Sequence, residues 1–139
     1  MSATELAVGL KHTEYMTVEE RHTVPAVEPR WPGFADMPPV FATAMMVGFI
    51  EQTCVEALRP FLGEGEHTVG THVDISHVAA TPVGMEIAAT VELVSVEAHT
   101  LHFRVFCLDE EGLIGEGNHQ RVIINTGRFM SRVSRKALG

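Results

Sequence analysis

One carboxylate in a long apolar stretch of this chain is the first candidate for chemistry. Glu51 is the only charged side chain between Asp36 and Glu56, and it follows an apolar run that begins at Val40. Burying an unpaired carboxylate costs several kcal/mol, so it needs either a partner or a displaced pKa. Glu51 is therefore predicted to act as a general base or nucleophile, the alternative being a helix residue that reaches solvent at a groove.

A hydroxyl and an imidazole are candidate companions for this carboxylate. Thr43 precedes Glu51 by eight residues, a little over two helical turns, so the two side chains could border one pocket without touching. Thr43 could help backbone N–H groups to polarise a carbonyl oxygen, or could serve as an N-cap. His77 ends a predicted strand on its apolar face, where an imidazole either transfers protons or is a satisfied core residue. A helix packed on that face would bring Glu51 and His77 into one layer.

Two further polar side chains share a face of the last predicted strand. His119 and Arg121 are two residues apart, so strand alternation points them the same way. They could form a cross-strand ion pair with a carboxylate. Alternatively, they place a charge at the pocket, where it orients Glu51 or meets a ligand.

Metal and redox chemistry find little support in the sequence. His72 and Asp74 lie near His77, but strand alternation puts them on the opposite face, so no metal site is predicted. Cys54 and Cys107 have no metal-binding or redox spacing. Both are predicted to be buried free thiols.

Hydrophobic periodicity predicts the elements that position these residues. We expect a strand at about 10–18, a lid loop at about 24–39, a central helix at about 40–62 and strands between about 68 and 127. Short turns divide the last region into four alternating runs, typical of antiparallel strands. The strand face expected against the helix comprises the odd positions Val69, Thr71, Val73, Ile75 and His77.

The central helix is apolar nearly all round in its first half, so it needs cover on every side. One curved antiparallel sheet wrapped around it supplies most of that cover, and a second subunit can supply the rest. The predicted fold is therefore α+β, a single hot-dog domain over residues 1–139, with a homodimer as the expected assembly.

The lid loop is rigid and apolar. It holds five of the seven prolines together with Trp31, Phe34 and Met37. Such a loop suits a cover over a pocket, with ordinary packing at the edge of the core as the alternative.

Charge and hydropathy exclude several classes of partner. A net charge of −8 argues against nucleic acid, which requires a basic surface. No apolar run approaches the ~20 residues of a membrane span and no signal peptide is evident, so a cytoplasmic protein without a membrane partner is expected.

Five of the ten cations fall in the last 19 residues. They belong to a solvated tail or last strand, or they meet an anionic ligand such as the phosphates of coenzyme A.

Three segments carry a resemblance to a known family. VFATAMMVGFIEQTC, HVAATPVGM and GEGNHQRVII, in this order and spacing, resemble the fluoroacetyl-CoA thioesterases and their hot-dog relatives, over nearly the whole chain. The resemblance implies a hot-dog homodimer that hydrolyses acyl-CoA thioesters without a metal or other cofactor. It also implies that Thr43, Glu51 and His77 are the catalytic residues.

The same resemblance implies a set of substrate-binding residues, with one departure. Gly70 corresponds to the glycine near the thioester, Arg121 to an arginine of the catalytic set and Phe34 to a lid phenylalanine. Met37 stands where the family has a gating phenylalanine, and methionine is flexible and lacks the aromatic quadrupole. The expected function is therefore hydrolysis of a short-chain acyl-CoA, with fluoroacetyl-CoA as one candidate. The alternatives are a non-catalytic acyl-CoA sensor and a hot-dog hydratase or dehydratase acting on acyl thioesters.

Overall fold

One antiparallel sheet and one long helix dominate the structure, a computed structural model that describes residues 6–139. The strands are β1 (Lys11–Thr17), β2 (Glu66–Ile75), β3 (Glu86–Glu97), β4 (Thr100–Asp109) and β5 (Gly112–Asn125). The helices are α1 (Val24–Val27), α2 (Pro32–Ala35), α3 (Thr43–Leu58) and α4 (Thr126–Leu138), with 3-10 turns at Glu20–His22 and Arg59–Phe61. Within the described residues, no helix combines the length and hydropathy needed to cross a bilayer.

The five strands lie in the order β1-β3-β4-β5-β2, and every neighbouring pair is antiparallel. Short turns join β3, β4 and β5 into a meander, while α3 lies between β1 and β2 in the chain and packs across the sheet. The α+β hot-dog arrangement predicted from the sequence is confirmed. Because β1 and β2 are the outer strands, one backbone edge of each is not paired with any strand of residues 6–139.

The core lies between α3 and one face of the sheet. Met46, Ile50, Cys54 and Leu58 recur every four residues along α3 and are fully buried, as expected for one face of a helix. The sheet contributes the odd positions of two central strands, Ile87, Ala89, Val91, Leu93, Leu101, Phe103, Val105 and Cys107. Thr43, Ala44 and Gly48 on the other side of α3 are exposed. A single chain therefore covers only one side of a helix that is apolar nearly all round.

Strand β2 departs from the predicted alternation. Its pairing with β5 shifts between Gly70 and His72, so Thr71 is an extra, bulged residue. Directly paired residues of antiparallel strands point to the same face of the sheet. Gly70 pairs with Arg121 and Val73 pairs with His119, and both β5 residues face inward. The inward face therefore switches from even to odd positions at the bulge. The predicted odd face is correct for Val73 and Ile75 but wrong for Val69 and Thr71.

The end of the chain also differs from the expectation of a tail or last strand. β5 stops at Asn125, whose side chain accepts a hydrogen bond from the Arg128 backbone N–H and caps α4. Residues 126–139 repeat their charged and apolar side chains at helical spacing, a signal that the strand-based interpretation missed. The lid likewise contains two single-turn helices, α1 and α2, each beginning near a proline.

Candidate active site

The start of α3 holds the first half of the candidate site. Ala42 is the N-cap and Thr43 is the first helical residue, so the Thr43 hydroxyl does not cap the helix. Instead, its Oγ1 lies 2.7 Å from Nδ1 of His77 in a hydrogen bond. The first backbone N–H groups of a helix have no intrahelical partner, so they remain available to a ligand beside this pair.

His77 lies two residues beyond the end of β2, with its ring edge-on to Phe41 at a centroid distance of 6.3 Å. Burial lowers the pKa of His77, and a backbone hydrogen bond at Ala79 acts in the opposite direction. The imidazole is therefore neutral near pH 7. Its Nε2 is buried without a hydrogen-bond partner among residues 6–139. A buried polar atom in this state is suited to exchange a proton with a bound molecule.

A small apolar cavity adjoins this pair. It has a volume of about 240 Å³ and is lined by Val24, Val40 and Phe41 besides Thr43 and His77. Its apolar residues come from α1, from the segment that leads into α3 and from Val78, Ala79 and Ala80, which follow His77. The cavity is of a size to hold a short acyl chain beside a hydroxyl and an imidazole.

Glu51, on α3, forms the second half of the site and lies against the inner face of β5. Its Oε2 accepts a hydrogen bond of 2.9 Å from Nη1 of Arg121, whose side chain is 6% exposed. Glu51 itself is 38% exposed within the single chain. Both sequence interpretations therefore hold in part, because the carboxylate has a buried cationic partner and also reaches a surface.

Arg121 is held in place by two other residues. Its Nε donates to Thr68 Oγ1 and its Nη2 donates to the Thr68 carbonyl oxygen, each at 2.9 Å. Nη1 also lies 3.1 Å from Nε2 of His119, whose Nδ1 lies 2.7 Å from the His72 carbonyl oxygen. The carbonyl can only accept, so His119 carries its proton on Nδ1 and accepts from Arg121 through Nε2. Thr68 was not a candidate from the sequence, since an isolated threonine in a strand carries no distinguishing signal.

The two sequence candidates on β5 thus belong to one network with Glu51. Burial lowers the pKa of His119, an effect opposed by its backbone hydrogen bond to His72 and reinforced by Arg121. The imidazole therefore stays neutral, which preserves the acceptor that Arg121 uses. The cationic charge facing Glu51 comes from Arg121 alone.

Gly70 provides the space for this network. A Cβ at this position would lie 2.5 Å from Glu51 Oε2, 3.1 Å from His119 Cε1 and 3.3 Å from Arg121 Nη1. A Cβ does not approach a non-bonded heavy atom within 3.0 Å, so any side chain here would displace the carboxylate. Only glycine lets Glu51 approach β2 closely.

The structure does not bring Glu51 and His77 together within one chain. Glu51 lies eight residues beyond Thr43 on α3, a separation of about 12 Å at the helical rise. Thr43 and His77 form one cluster, and Glu51, Arg121, His119 and Gly70 form the other. No hydrogen bond joins the two clusters among residues 6–139.

The lid residues lie outside both clusters of hydrogen bonds. Phe34, in α2, is partly buried and packs edge-to-face on Trp31 at a centroid distance of 5.3 Å. Met37 follows α2 and is 46% exposed. Neither side chain lines the small cavity.

Both cysteines are buried, and their burial keeps the thiols protonated. Burial raises the pKa of Cys54 to about 12; the Arg121 cation opposes this shift and the Glu51 carboxylate adds to it. Burial also raises the pKa of Cys107 to about 12, so neither thiol supplies a thiolate near neutral pH. Among residues 6–139, no three His, Cys, Asp or Glu side chains are grouped to hold a metal ion.

Comparison with known proteins places this arrangement in a family. The family model described as fluoroacetyl-CoA-specific thioesterase matches residues 18–127. The chain is 40% identical to the fluoroacetyl-CoA thioesterase of Streptantibioticus cattleyicolor over 131 residues, covering 94% of each protein. A solved structure of the fluoroacetyl-CoA thioesterase superposes with a TM-score of 0.92 at 40% identity, covering 94% of this chain and 97% of the other.

A more distant relative has the same fold. A thioesterase superfamily member from Thermus thermophilus, described as a hypothetical protein, matches with a TM-score of 0.84 at 27% identity, covering 94% of this chain and 93% of the other. Fold and site together define a member of the hot-dog thioesterase superfamily. Within it, the chain belongs to the family of fluoroacetyl-CoA-specific thioesterases. The family resemblance inferred from the three sequence segments is confirmed.

Proposed function

We propose that this protein hydrolyses short-chain acyl-CoA thioesters to the free acid and coenzyme A. The observation that carries the proposal is the apolar cavity of about 240 Å³ with Thr43 and His77 in its wall. A cavity of this size matches a short acyl group better than a long one. The thioesterases related to this chain support the same reaction.

The proposed roles follow from the geometry of the two clusters. Backbone N–H groups at the start of α3, with the Thr43 hydroxyl, polarise the thioester carbonyl. Glu51 attacks the carbonyl carbon or takes a proton from the attacking water, and Arg121 keeps its carboxylate oriented. The carbon–sulfur bond then breaks, and the leaving thiolate takes up the proton released by the attacking water, which His77 relays. If Glu51 attacks directly, water then hydrolyses the resulting anhydride, which frees the acid and restores the carboxylate. The reaction needs only water as co-reactant, and we propose that it uses no metal or organic cofactor.

We propose that a homodimer completes the site. The Cα atoms of Thr43 and Glu51 are about 12 Å apart along one helix, and among residues 6–139 no hydrogen bond joins Glu51 to the Thr43–His77 pair. The uncovered side of α3 and the free edge of β2, where Val73 is 46% exposed, offer a surface for a second subunit. Pairing there would bring the Glu51 cluster of one subunit to the Thr43–His77 cluster of the other.

The substrate range and the location complete the proposal. Met37 lies in the lid at the family's gate position, so we propose a range of short acyl groups that includes acetyl and fluoroacetyl. Both cysteines are free and buried, which suits a reducing cytoplasm.

A thiol-release assay with acetyl-, fluoroacetyl-, butyryl- and octanoyl-CoA tests the function. We expect turnover of the short substrates, loss of octanoyl-CoA turnover, and a fall in kcat of at least about a hundredfold in Glu51→Gln and His77→Gln. Unimpaired turnover in both variants would refute the assignment. Water addition to an enoyl-CoA without thiol release would identify a hydratase, and tight acyl-CoA binding with neither reaction would identify a sensor.

The dimer is tested separately by light scattering on the same samples. Val73→Lys places a charge on the exposed apolar edge of β2 and should yield a folded monomer that releases no thiol. A fully active monomer would refute the shared site, while leaving the assay of the reaction itself unaffected. Arg104→Gln, on the exposed side of β4, serves as the control and should remain an active dimer.

A further inference from the structure

Helix α4 is basic, whereas the rest of the molecule is acidic. Residues 126–139 contain Arg128, Arg132, Arg135 and Lys136 and no aspartate or glutamate, in a chain whose net charge is −8. At the helical repeat, these four cations fall within an arc of roughly 100°. The helix therefore carries one continuous basic stripe.

The arginines of this stripe differ from all others in their partners. Every arginine outside α4 forms an ion pair with a glutamate, as in Arg21–Glu19, Arg30–Glu28, Arg59–Glu56, Arg104–Glu116 and Arg121–Glu51. No cation of α4 forms an ion pair within residues 6–139. In a protein with 18 carboxylate side chains, a basic stripe without internal partners is available to an external anion.

A groove runs beside this stripe. It has a volume of about 380 Å³ and is lined by Arg128 and Arg132 from α4 and by Val122 and Ile124 from β5. Guanidinium groups bind phosphate oxygens through paired hydrogen bonds, and the apolar floor suits the face of a flat ring. The groove therefore combines the contacts that a phosphorylated nucleoside requires.

A second groove lies between this region and the residues that surround the Glu51 cluster. It also has a volume of about 380 Å³, and its lining includes Thr68 and Val55. Thr68 accepts two hydrogen bonds from Arg121, and Val55 lies one turn beyond Glu51 on α3. Both grooves are lined by Glu66, so they adjoin at that residue. The carboxylate of Glu66 is itself engaged by the Gly63 backbone N–H at 2.7 Å.

We infer that the basic stripe of α4 and its groove bind the phosphorylated nucleotide end of the acyl-CoA substrate, with Arg128 and Arg132 contacting its phosphates. This inference rests on the proposed function for the identity of the thioester. Asn125, at the start of α4, lies four residues along β5 from Arg121, about 13 Å at the rise of a strand. Val122 and Ile124 alternate with Arg121 along β5, so the groove floor is on the opposite face of the sheet and the two regions communicate around the edge strand at Glu66. The pantetheine arm of coenzyme A is long enough to span that distance in an extended form. An acidic protein also needs a local basic surface to attract a polyanionic substrate.

Two substrates that differ only in the nucleotide test the inference. The variant Arg128→Gln/Arg132→Gln should raise KM for acetyl-CoA by about tenfold at low salt. KM and kcat for acetyl-pantetheine, which lacks the nucleotide, should stay unchanged. Raising the ionic strength should increase KM for acetyl-CoA in the wild type and much less in the variant. The control Arg104→Gln removes an exposed arginine elsewhere and should behave like the wild type with both substrates.

Direct binding separates this inference from the proposed function. Adenosine 3′,5′-bisphosphate carries the anionic groups without a thioester, and calorimetry should detect its binding to the wild type but not to Arg128→Gln/Arg132→Gln. That result would support the nucleotide site even if no thioester were hydrolysed. Equal KM values for acetyl-CoA in wild type and variant, or equal losses with acetyl-CoA and acetyl-pantetheine, would overturn it. A third result would also overturn it. If the wild type but not the double variant sediments with phosphatidylserine vesicles while their KM values are the same, the basic stripe binds a lipid surface instead.

Discussion

At the scale of single residues, Gly70 has the clearest requirement. Gly70→Ala would place a Cβ 2.5 Å from Glu51 Oε2, so the carboxylate would have to leave its position beside Arg121. We expect kcat for acetyl-CoA to fall at least about tenfold, because small displacements of a reacting group are costly. Thiol release under single-turnover conditions measures the effect.

Gly127→Ala is the matched control for this substitution. Its added Cβ would meet only Asn125 Oδ1, at an ordinary contact distance of 3.5 Å. Activity should therefore be retained. Full activity in Gly70→Ala would mean that Glu51 does not need its present position.

His119 has no direct route to the substrate in this structure, yet it accepts a hydrogen bond from the cation that orients Glu51. His119→Phe keeps the volume of the ring and removes the acceptor, so Arg121 loses one of its fixed partners. We expect kcat to fall by about tenfold to a hundredfold while KM for acetyl-CoA changes little. His119→Gln, which retains polar atoms, should restore part of kcat.

A purely structural role for His119 would produce a different pattern. Both variants would then lower the melting temperature in proportion to their loss of activity, without a selective effect on kcat. Circular dichroism melts of the two variants, recorded beside the kinetics, distinguish the two roles.

At the scale of the elements, strand β4 offers a direct test of which sheet face forms the core. Phe103 is 1% exposed against α3, whereas Phe106 is half-buried on the other face, where Arg104 lies 5.1 Å from its ring centroid. Phe103→Ala should lower the free energy of unfolding by about 3–5 kcal/mol. Phe106→Ala should lower it by only about 1 kcal/mol, the order of an exposed cation–π contact.

Urea unfolding curves for the two variants provide the measurement. The substitutions share a strand and a residue type, so intrinsic strand propensity cancels between them. Equal losses of stability would contradict the position of the core that the alternation along β4 indicates.

At the scale of the whole molecule, the half-buried His77 and the buried His119 make stability depend on pH. Burial lowers the pKa values of His77 and His119 in the folded protein, so at pH values just below about 6.5 the unfolded chain binds more protons than the folded one. Stability should therefore fall as the pH decreases from about 7 towards 5. The urea midpoint at several pH values measures this loss.

The contribution of one histidine to this loss can be isolated. In His119→Gln, the midpoint should change less with pH over the same range, since one of the two depressed groups is absent. A midpoint that rises on acidification in the wild type would contradict the direction of both pKa shifts.

The sequence by itself determined the elements and the candidates for chemistry. Alternation in β3 and β4 and the long apolar run of α3 are local patterns, and together they predicted the α+β hot-dog fold that the structure contains. Glu51 was conspicuous because a single charge in an apolar run is visible without any knowledge of its neighbours. Local periodicity also contained the signal for α4, although the interpretation of residues 126–139 as a tail or strand overlooked it.

Only the tertiary structure decided which of these residues meet. Thr43 binds His77 across 34 residues of sequence, and Glu51 binds Arg121 across 70; such pairings depend on strand order and register, which local periodicity does not encode. The bulge at Thr71 is likewise invisible in the sequence, yet it reverses the inward face of β2 and sets Gly70 beneath Glu51. Thr43, Glu51 and His77 were nominated by residue type, but their division into two clusters follows from the length of one helix, because eight helical residues separate Thr43 from Glu51 by about 12 Å.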